Sequence, residues 1–352
     1  MSSPPLPRCL YLADPWTSHA IAARGYRAAL HSLGALTDDA AEADVVIYHP
    51  EMRRLARMRA QLPGLAHKYS VALLVWEVDR LPAPEQACVR TLDELWTPTL
   101  FSARALVPIH RRIYLLPHVV EPPRPAAPAE LAQVDAWLRC RTPTFDVLAI
   151  MPTDEPRKNF DALARAVRRL RSRVPELRLV VKAAGARAVS LERSPGQLII
   201  RGHVSAGIIE ALLARASVVA SAHRSEAWGL TLADALRRQI PLVCTDFGGS
   251  RAFAGDQAAY LVEAHEAAVG VHAARLPFDA DATWSEPDAA SLEARLLEAI
   301  AAVRAGAHGA KGQRGLAAVR RYDARRLRLL MRGRLQDIAG RLAHRTTSTH
   351  LK

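Results

Sequence analysis

Cysteine is scarce in this sequence, with four residues among 352. The cysteines lie far apart and form no Cys-x-x-Cys pair, which excludes a fold held together by disulfides and the common cysteine-based zinc sites. Isolated cysteines of this kind indicate unpaired side chains that serve as apolar residues in a protein of a reducing compartment. The four positions are Cys9, Cys88, Cys140 and Cys244.

Long apolar segments are also absent from the sequence. The longest apolar run lies at residues 71–76, far short of the roughly 20 residues that span a bilayer. The first residues have no basic stretch followed by an apolar core, which is the pattern of a cleaved signal peptide. We therefore predict a cytoplasmic protein.

Aromatic residues make up only 5% of the chain, whereas positive charge is in excess, with a net charge of +13. Most of the excess lies between Arg304 and Arg345, where eleven arginines and one lysine face two aspartates. No pattern of interleaved aromatic side chains and no recognition motif accompanies them, so we do not expect a nucleic-acid partner. A solvated basic helix face and peripheral contact with the inner face of an anionic membrane both remain open.

Length and periodicity predict two domains of one class. At roughly 150 residues per domain, the chain length corresponds to two domains. Short apolar runs alternate with amphipathic helical patterns, and this alternation predicts an α/β fold with parallel, doubly wound sheets. The strand candidates are Cys9–Leu12, Asp44–Tyr48, Val71–Trp76, Ile113–Leu116, Asp146–Ile150, Leu177–Lys182, Leu198–Ile200, Val218–Ser221 and Pro241–Thr245.

A proline-rich segment marks the boundary between the two domains. Four of the eight residues in Glu121–Pro128 are proline, which disfavours both helix and strand. We predict a first domain over residues 1–122, a linker over 123–143 and a second domain over 144–322. Residues 323–352 are expected to form a basic helix and a frayed tail after a chain that turns helical beyond Trp284. The helix carries an apolar stripe of Leu327, Met331, Leu335, Ile338 and Leu342.

Residues 221–249 form the most informative segment. A predicted strand ends at its start, a loop follows, and a helix is expected from Leu230. Gly229 allows a ligand to approach the backbone closely, and the N–H groups of Leu230 and Thr231 at a helix N-terminus suit a phosphate group. The segment therefore predicts a phosphate site at the carboxyl end of a strand.

Two acidic residues of this segment, Glu226 and Asp234, are eight positions apart. Glu226 falls in the loop, and Asp234 falls about one turn into the helix. Both can face one cleft at the carboxyl ends of the strands, where ligands of doubly wound folds bind.

Five motifs of the second half occur in the order and spacing of one known signature: EPRKN, RGHVS, EAWGL with an acid eight residues after its glutamate, QIPLV and DFGG. With them the chain resembles the retaining, family-four-type glycosyltransferases of the GT-B fold. The resemblance implies two Rossmann-like domains facing each other across a cleft. It also implies an enzyme of the hexosyltransferase type in polysaccharide or glycoconjugate biosynthesis. The motifs lie at Glu155–Asn159, Arg201–Ser205, Glu226–Leu230, Gln239–Val243 and Asp246–Gly249.

The resemblance implies roles for individual residues. Glu226 would face the donor sugar, and Asp234 would hold the ribose hydroxyls. Lys158 would neutralise the departing diphosphate, assisted by the amides of Leu230 and Thr231. These groups replace a metal, so no metal or other cofactor is expected beside the nucleotide-sugar substrate, whose base and sugar stay open, as does the acceptor.

Further residues of both domains belong to the site that the resemblance implies. In the second domain they are expected to contact the donor, and in the first, acceptor-side domain they line the cleft. Glu77, in the segment WEVD, is taken as a third catalytic candidate. The other donor-binding residues are Arg157, Asn159, His203, Val204, Arg224 and Gly229, and the cleft residues are His118 and Ser18.

The sequence also departs from the family pattern. Asp234 stands in place of a glutamate and is one methylene shorter, and Thr153 occupies the position of the family's usual arginine. The segment Pro15–His19 replaces a glycine-rich first loop. These departures keep a second hypothesis open, a non-catalytic Rossmann-like nucleotide-binding or sensor protein with a degenerate site. The DxD-like run Asp279–Asp281 has no preceding strand and is not taken as a metal site.

Overall fold

The chain divides into two compact units, and the computed structural model describes residues 5–15, 17–185 and 188–349. Unit 1 consists of Met1–Val119, Pro277–Ala282 and Arg321–Lys352. Unit 2 consists of Val120–Leu276 and Thr283–Arg320. Unit 1 is therefore discontinuous in sequence, because its last helix follows unit 2. The sequence predicts that the first domain ends at residue 122 and the second at residue 322, whereas the main boundaries between the two units follow Val119 and Arg320.

Unit 1 is built on a parallel sheet with the strand order β2-β1-β3-β4-β5-β6. Strands β3 and β4 are buried at every position, as expected for parallel strands covered on both faces. The strands are β1 (Cys9–Ala13), β2 (Leu36–Thr37), β3 (Val45–His49), β4 (Tyr69–Leu73), β5 (Glu94–Thr97) and β6 (Ile113–Leu115). The helices between them are α1 (Thr17–Ser32), α2 (Leu55–Ala60), α3 (Ala83–Arg90) and α4 (Leu100–Leu106), with 3-10 turns at Met52–Arg54 and Pro63–Leu65.

Strand β5 is not among the strands predicted from the sequence. Its first residue, Glu94, is a charged residue, yet this side chain is fully buried. The Tyr69 hydroxyl (3.1 Å) and the Trp96 indole N–H (2.7 Å) both donate to its carboxylate. Helix α4 begins after Thr99, whose side chain accepts the N–H of Ser102 (3.2 Å) as an N-cap.

Unit 2 is built on a second sheet with the order β13-β12-β11-β7-β8-β10-β9, in which β9 alone is antiparallel to its neighbour. Parallel sheets in both units confirm the predicted α/β class. The strands are β7 (Phe145–Ile150), β8 (Leu177–Ala183), β9 (Ser190–Ser194), β10 (Gln197–Arg201), β11 (Val218–Ser221), β12 (Leu242–Thr245), β13 (Tyr260–Val262), β14 (Ala264–Ala268) and β15 (Thr283–Pro287). The helices are α5 (Pro128–Leu138), α6 (Phe160–Leu170), α7 (Ala206–Arg215), α8 (Leu230–Arg237), α9 (Ala289–Arg304) and α10 (Gly309–Arg320), with 3-10 helices at Pro156–Lys158, Gly249–Ala252 and Gly270–Arg275.

The structure of unit 2 differs from the sequence prediction in two places. Residues 123–143 are not a plain linker, because they contain helix α5 and belong to unit 2. The first residue of α5, Pro128, is the last of the proline run, and proline is favoured at the first helical position because its missing N–H would have no partner there. Strand β15, which contains Trp284 and pairs with β14, was not predicted either, and the expected helices follow it from Ala289.

A buried ion pair joins two neighbouring strands of unit 2. Asp146 of β7 and Arg178 of β8 are register partners. The guanidinium of Arg178 donates to both carboxylate oxygens, at 2.7 and 2.6 Å. Such a bidentate pair satisfies both charges where the sheet excludes water.

The chain ends in a long helix, α11 (Ala324–Thr349), whose apolar stripe packs into the core of unit 1. Each buried apolar side chain contributes about 2 kcal/mol relative to exposure. Arg334, on the same face, donates to the buried carboxylate of Glu94 (2.8 Å) and lies 3.3 Å from the ring centre of Tyr114. The buried stripe residues are Leu327, Met331, Leu335 and Ile338.

We expect Glu94→Gln to loosen α11, because it removes the buried counter-charge of Arg334 and leaves only the exposed carboxylate of Asp337. Removing one member of a buried pair costs about 3–5 kcal/mol. Amide hydrogen exchange should therefore speed up in α11 and in β5, and not in unit 2. Asp146→Asn is the matched control, since it breaks the buried pair of unit 2 instead. Equal loss of protection in both units for either variant would contradict this assignment.

Candidate functional site

Two loops at the carboxyl edge of the unit 2 sheet lie side by side, because they follow the neighbouring strands β7 and β11. The first contains the 3-10 helix Pro156–Lys158, and the second leads to α8. The backbone N–H of Arg224 donates to the carbonyl of Arg157 (2.8 Å), and its guanidinium donates to the carbonyl of Pro156 (2.7 Å). The two loops are thus fastened to each other by backbone acceptors.

Lys158 and Glu226 meet between these loops. The ammonium of Lys158 donates to Oε2 of Glu226 at 2.7 Å. The two side chains are 18% and 16% exposed, so the pair is largely shielded and yet open on one side. Two residues that are 68 positions apart in sequence therefore form one unit of opposite charges.

The Glu226 carboxylate remains ionised in this setting. Burial alone would raise its pKa, but the nearby charges of Lys158 and Arg157 outweigh burial and lower the pKa to about 2. The second oxygen, Oε1, accepts the backbone N–H of Trp228 at 3.4 Å. Glu226 is thus a poor proton acceptor near neutral pH and a good acceptor of hydrogen bonds.

The N-terminus of α8 lies beside this carboxylate. Gly229, which precedes the helix, has a φ of +90°, and a Cβ built on it would lie 3.3 Å from Cγ of Glu226. The first helical bond runs from the N–H of Ala233 to the carbonyl of Gly229 (2.9 Å). The N–H groups of Leu230 and Thr231 therefore have no acceptor within the helix, and they offer an anion site.

Two further glycines hold the backbone of Glu226 in place. The N–H of Gly249 donates to the carbonyl of Glu226 at 2.6 Å. Gly248 has a φ of +90°, and a Cβ added to it would lie 2.5 Å from the same carbonyl oxygen. The glycines of the DFGG motif thus allow its backbone to approach the backbone of Glu226 more closely than a side chain at Gly248 would permit.

The predicted donor contacts Arg157, Asn159 and Arg224 bind protein groups here. The guanidinium of Arg157 pairs with Glu155 (2.6 Å), while that of Arg224 pairs with both oxygens of Glu286, one at 3.1 Å. Glu286 also accepts from the amide of Asn159 at 3.4 Å. These arginines therefore brace the loops. Sequence reasoning missed Glu286, which reaches the site from β15.

His223 is a second residue that sequence reasoning missed. Burial lowers its pKa to about 4, so the ring is neutral near neutral pH. Its Nε2 donates to the carbonyl of Phe247 (3.1 Å), and its Nδ1 then accepts from the hydroxyl of Ser221 (3.0 Å). The neutral ring ties the end of β11 to the DFGG loop.

Asp234 lies on α8 and is held by different partners from those of Glu226. Nη1 of Arg238 lies 3.5 Å from its carboxylate, and the same arginine pairs with Glu210. The pKa of Asp234 is raised to about 6, mainly by burial and further by the negative charge of Glu210. The positive charge of Arg238 lowers the pKa but does not outweigh these two effects. This carboxylate thus titrates close to neutral pH.

His203 and Val204 follow β10 at the same edge of the sheet. His203 is exposed and Val204 is half-buried. The carbonyl of the preceding Gly202 accepts from the buried ammonium of Lys182 at 2.6 Å. The loop therefore has a fixed backbone and an exposed imidazole.

The predicted cleft residues belong to unit 1. Ser18 is exposed in the first turn of α1, and Glu77 is half-buried in the loop after β4, not at the strand end as predicted. His118 is buried beside Tyr26. Because the Tyr26 hydroxyl donates its proton to the carbonyl of Leu116 (2.6 Å), the same hydroxyl accepts a hydrogen bond from Nδ1 of His118 (3.0 Å). His118 is thus fixed in one tautomer.

Sequence reasoning did not predict that two more histidines join His118. The ring centre of His49 lies 6.2 Å from that of His118 and 5.3 Å from that of His19. Burial lowers the pKa of His49 well below its ordinary value, and His118 and His19 add to this effect. His49, which ends β3, is therefore a neutral imidazole at the carboxyl edge of the unit 1 sheet.

Metal-ligand groupings and membrane-spanning helices were sought throughout the described residues. Within them, no group of three or more His, Cys, Asp or Glu side chains could hold a metal ion. Asp281 of the DxD-like run instead pairs with Arg80 at 2.8 Å, within unit 1. No helix in the described parts of the chain is both long enough and apolar enough to cross a bilayer.

The sequence of unit 2 matches a known family. Residues 145–276 correspond to the profile of the family described as Glycosyl transferases group 1. The matched segment contains both loops that position Lys158 and Glu226. No curated protein sequence matches the chain.

Solved glycosyltransferase structures share the fold. HepE of Anabaena, in complex with UDP and glucose, has a TM-score of 0.65 and 13% identity over 94% of this chain and 99% of its own. A glycosyltransferase of Rickettsia africae has a TM-score of 0.60 and 12% identity over 93% and 83%. For the pneumococcal O-GlcNAc transferase GtfA, in complex with UDP and GlcNAc, the values are 0.58 and 11% over 89%, and the chain spans 59% of that protein. These likenesses confirm an α/β fold of the GT-B kind.

We expect Gly248→Ala to disturb the site for two reasons. The new Cβ would collide with the Glu226 carbonyl, and the alanine would have to adopt a strained, positive φ. Strain of this kind costs about 1–3 kcal/mol. Denaturant unfolding followed by circular dichroism should show that loss. Gly255→Ala is the control, since its Cβ would meet nothing within 4 Å and its φ is not positive. Equal stability of the two variants would refute the close contact.

Proposed function

We propose that this protein is a glycosyltransferase that moves a hexosyl unit from a nucleotide-sugar donor to an acceptor. The observation that carries the proposal is the Lys158–Glu226 pair, 2.7 Å apart, beside the N-terminus of α8. The site offers a cation and backbone N–H groups for a diphosphate and a carboxylate for a sugar. The group 1 family match over residues 145–276 supports the same activity.

Lys158 and the start of α8 act on the leaving group. As the bond between the anomeric carbon and the diphosphate oxygen breaks, negative charge grows on that oxygen. Preorganised donors that face such charge stabilise the transition state more than the ground state. Lys158 and the N–H groups of Leu230 and Thr231 are the donors, which is why we propose that no metal is required.

Glu226 acts on the sugar and not as the base. A carboxyl group with a pKa of about 2 takes up protons too weakly to deprotonate an acceptor hydroxyl. The departing diphosphate is the stronger base, and we infer that it receives the acceptor's proton as the new glycosidic bond forms. The Glu226 carboxylate accepts hydrogen bonds from sugar hydroxyls and balances positive charge at the anomeric carbon. Retention of anomeric configuration, drawn from the resemblance to retaining enzymes, is part of the proposal.

The donor's base, the acceptor and the location complete the proposal. UDP is the first nucleotide to test, since two of the similar structures contain it. We assign the acceptor to unit 1, where Glu77, Ser18 and the histidine cluster around His118 offer hydroxyl-binding groups. A cytoplasmic location stays a prediction.

The second hypothesis, a non-catalytic nucleotide sensor, uses the same site. Its support is the engagement of Arg157 and Arg224 by Glu155 and Glu286, which leaves Lys158 as the main side-chain cation for phosphate. A sensor would bind a nucleotide and release no sugar. Product analysis with a mixture of UDP-, GDP- and dTDP-sugars separates the two functions.

We expect Lys158→Met to lower the rate of donor turnover about a hundredfold, because one electrostatic donor of this kind contributes about 3 kcal/mol to the barrier. The release of nucleoside diphosphate from the donor is the measurement. Arg165→Met removes a positive charge from an exposed position of α6 and should leave the rate unchanged. If Lys158→Met keeps the parent rate, the diphosphate does not bind at Lys158. If turnover in the parent requires manganese, the metal-free mechanism fails.

We expect nucleotide affinity to fall as the pH drops through about 6, because protonation of Asp234 removes the charged acceptor of the ribose hydroxyls. Loss of that acceptor costs about 1.5–3 kcal/mol, or roughly tenfold to a hundredfold in Kd. Asp234→Asn should bind weakly at every pH, without this dependence. Glu226→Gln should keep the pH dependence and lose turnover. Isothermal titration with nucleotide-sugars, whose diphosphate does not titrate between pH 5 and 8, makes the comparison, and a pH dependence that survives in Asp234→Asn argues against the ribose role.

A further inference from the structure

The first turns of α11 combine unpaired positive charge with exposed apolar side chains. The ion pairs of this helix, within the described residues, involve Arg334 and Arg345. Four other arginines are exposed and have no carboxylate partner there, and two leucines among them are 57% and 37% exposed. We call these residues the α11 patch: Arg325, Arg326, Arg328, Leu329, Leu330 and Arg332.

The α11 patch costs stability on its own. Arg325, Arg328 and Arg332 follow one another at spacings of three and four, which places like charges on neighbouring positions of one helix face. Arg325 also lies in the first turn of α11, where the helix dipole disfavours cations. Asp323 is the sole acid in residues 320–336, and its carboxylate caps the N–H of Arg326 at 2.8 Å. A partner that neutralises the arginines would relieve this repulsion.

The exposed leucines indicate what kind of partner this is. Leu329 follows Arg325 by four residues and precedes Arg332 by three, so on the helix surface it lies between them. A nucleic-acid backbone would satisfy the arginines and leave the leucines in water. An anionic lipid surface satisfies both, because the guanidinium groups meet phosphates and the leucines enter the acyl boundary.

We propose that the α11 patch attaches this protein peripherally to an anionic membrane surface. The buried face of α11, which carries Leu327, Met331 and Leu335, stays in unit 1, so attachment needs no unfolding. The proposal does not depend on the proposed transferase activity, because binding to lipid is measured without a donor.

Two arginines near α2 are held by contacts within unit 1. Arg54 pairs with the buried carboxylate of Asp14. Arg59 donates to the hydroxyl of Thr91 (2.5 Å). These two guanidinium groups therefore differ from those of the α11 patch.

Vesicle co-sedimentation tests the proposal with the full chain. The vesicles contain phosphatidylcholine alone or with phosphatidylglycerol, at low and high salt. The parent should bind only the anionic vesicles, and less at high salt. Arg325→Gln with Arg328→Gln should weaken partitioning roughly 25-fold, since each arginine near the surface contributes about fivefold. Leu329→Ser with Leu330→Ser should remove the binding that survives at high salt.

The control removes the same charge elsewhere. Arg165→Gln with Arg168→Gln changes two exposed arginines of α6 in unit 2 and should bind anionic vesicles as the parent does. Equal recovery with neutral and anionic vesicles, or equal weakening by the α6 and α11 double variants, would overturn the proposal. A third outcome would also overturn it: the parent binds no vesicles but retains a single-stranded RNA oligonucleotide, and the Arg325→Gln, Arg328→Gln variant loses that RNA binding. Circular dichroism of each variant checks that α11 still folds.

Discussion

The ion pair between Lys158 and Glu226 is the interaction on which the rest of the site depends. It keeps a carboxylate charged where burial alone would neutralise it. It also holds an ammonium, without a donor present, next to the helix start that would receive a diphosphate. In the proposed function, a donor diphosphate replaces the Glu226 carboxylate as the partner of Lys158, whose side chain is already largely shielded from water.

Much of the surrounding structure serves to hold this pair still. The carbonyl of Glu226 is fixed by Gly249, and the close contact requires Gly248. The loop of Lys158 is fastened from the other side by Arg224, which in turn is neutralised by Glu286. Because these contacts come from strands and loops spread over the whole of unit 2, the geometry of the pair is a property of the folded unit and not of either loop alone.

The sequence predicts the parts of this site that local patterns encode. Glu226, Gly229 and the GG of the DFGG motif stand out because a loop, a helix start and a tight backbone contact each demand a residue type at a fixed spacing. Glu286 could not be found in this way, since it lies in β15, whose sequence TWSEP has no apolar run that predicts a strand. The same holds for the buried Glu94 in β5, whose partner Arg334 is 240 residues away.

The elements of the fold that local sequence patterns encode were also predicted, whereas those that depend on contacts between distant residues were missed. Strands β3, β7 and β8 were predicted because their largely apolar runs are typical of parallel strands covered on both faces. Strand β9 was not, because all of its residues are exposed. Helix α5 was hidden by a proline run that ends at a position where proline favours a helix. The polar cluster around His49 was also missed, since the sequence does not tell which side chains the strand ends bring together.

We propose that Lys158, Glu226 and the start of α8 form a diphosphate-donor site, and a crystal structure of the protein with a bound nucleoside diphosphate, beginning with UDP, tests this proposal. We expect diphosphate oxygens within hydrogen-bond distance of the Lys158 ammonium and of the Leu230 and Thr231 N–H groups, with the ribose hydroxyls at Asp234. A diphosphate bound elsewhere, with the Lys158–Glu226 pair left intact and uncontacted, would contradict it.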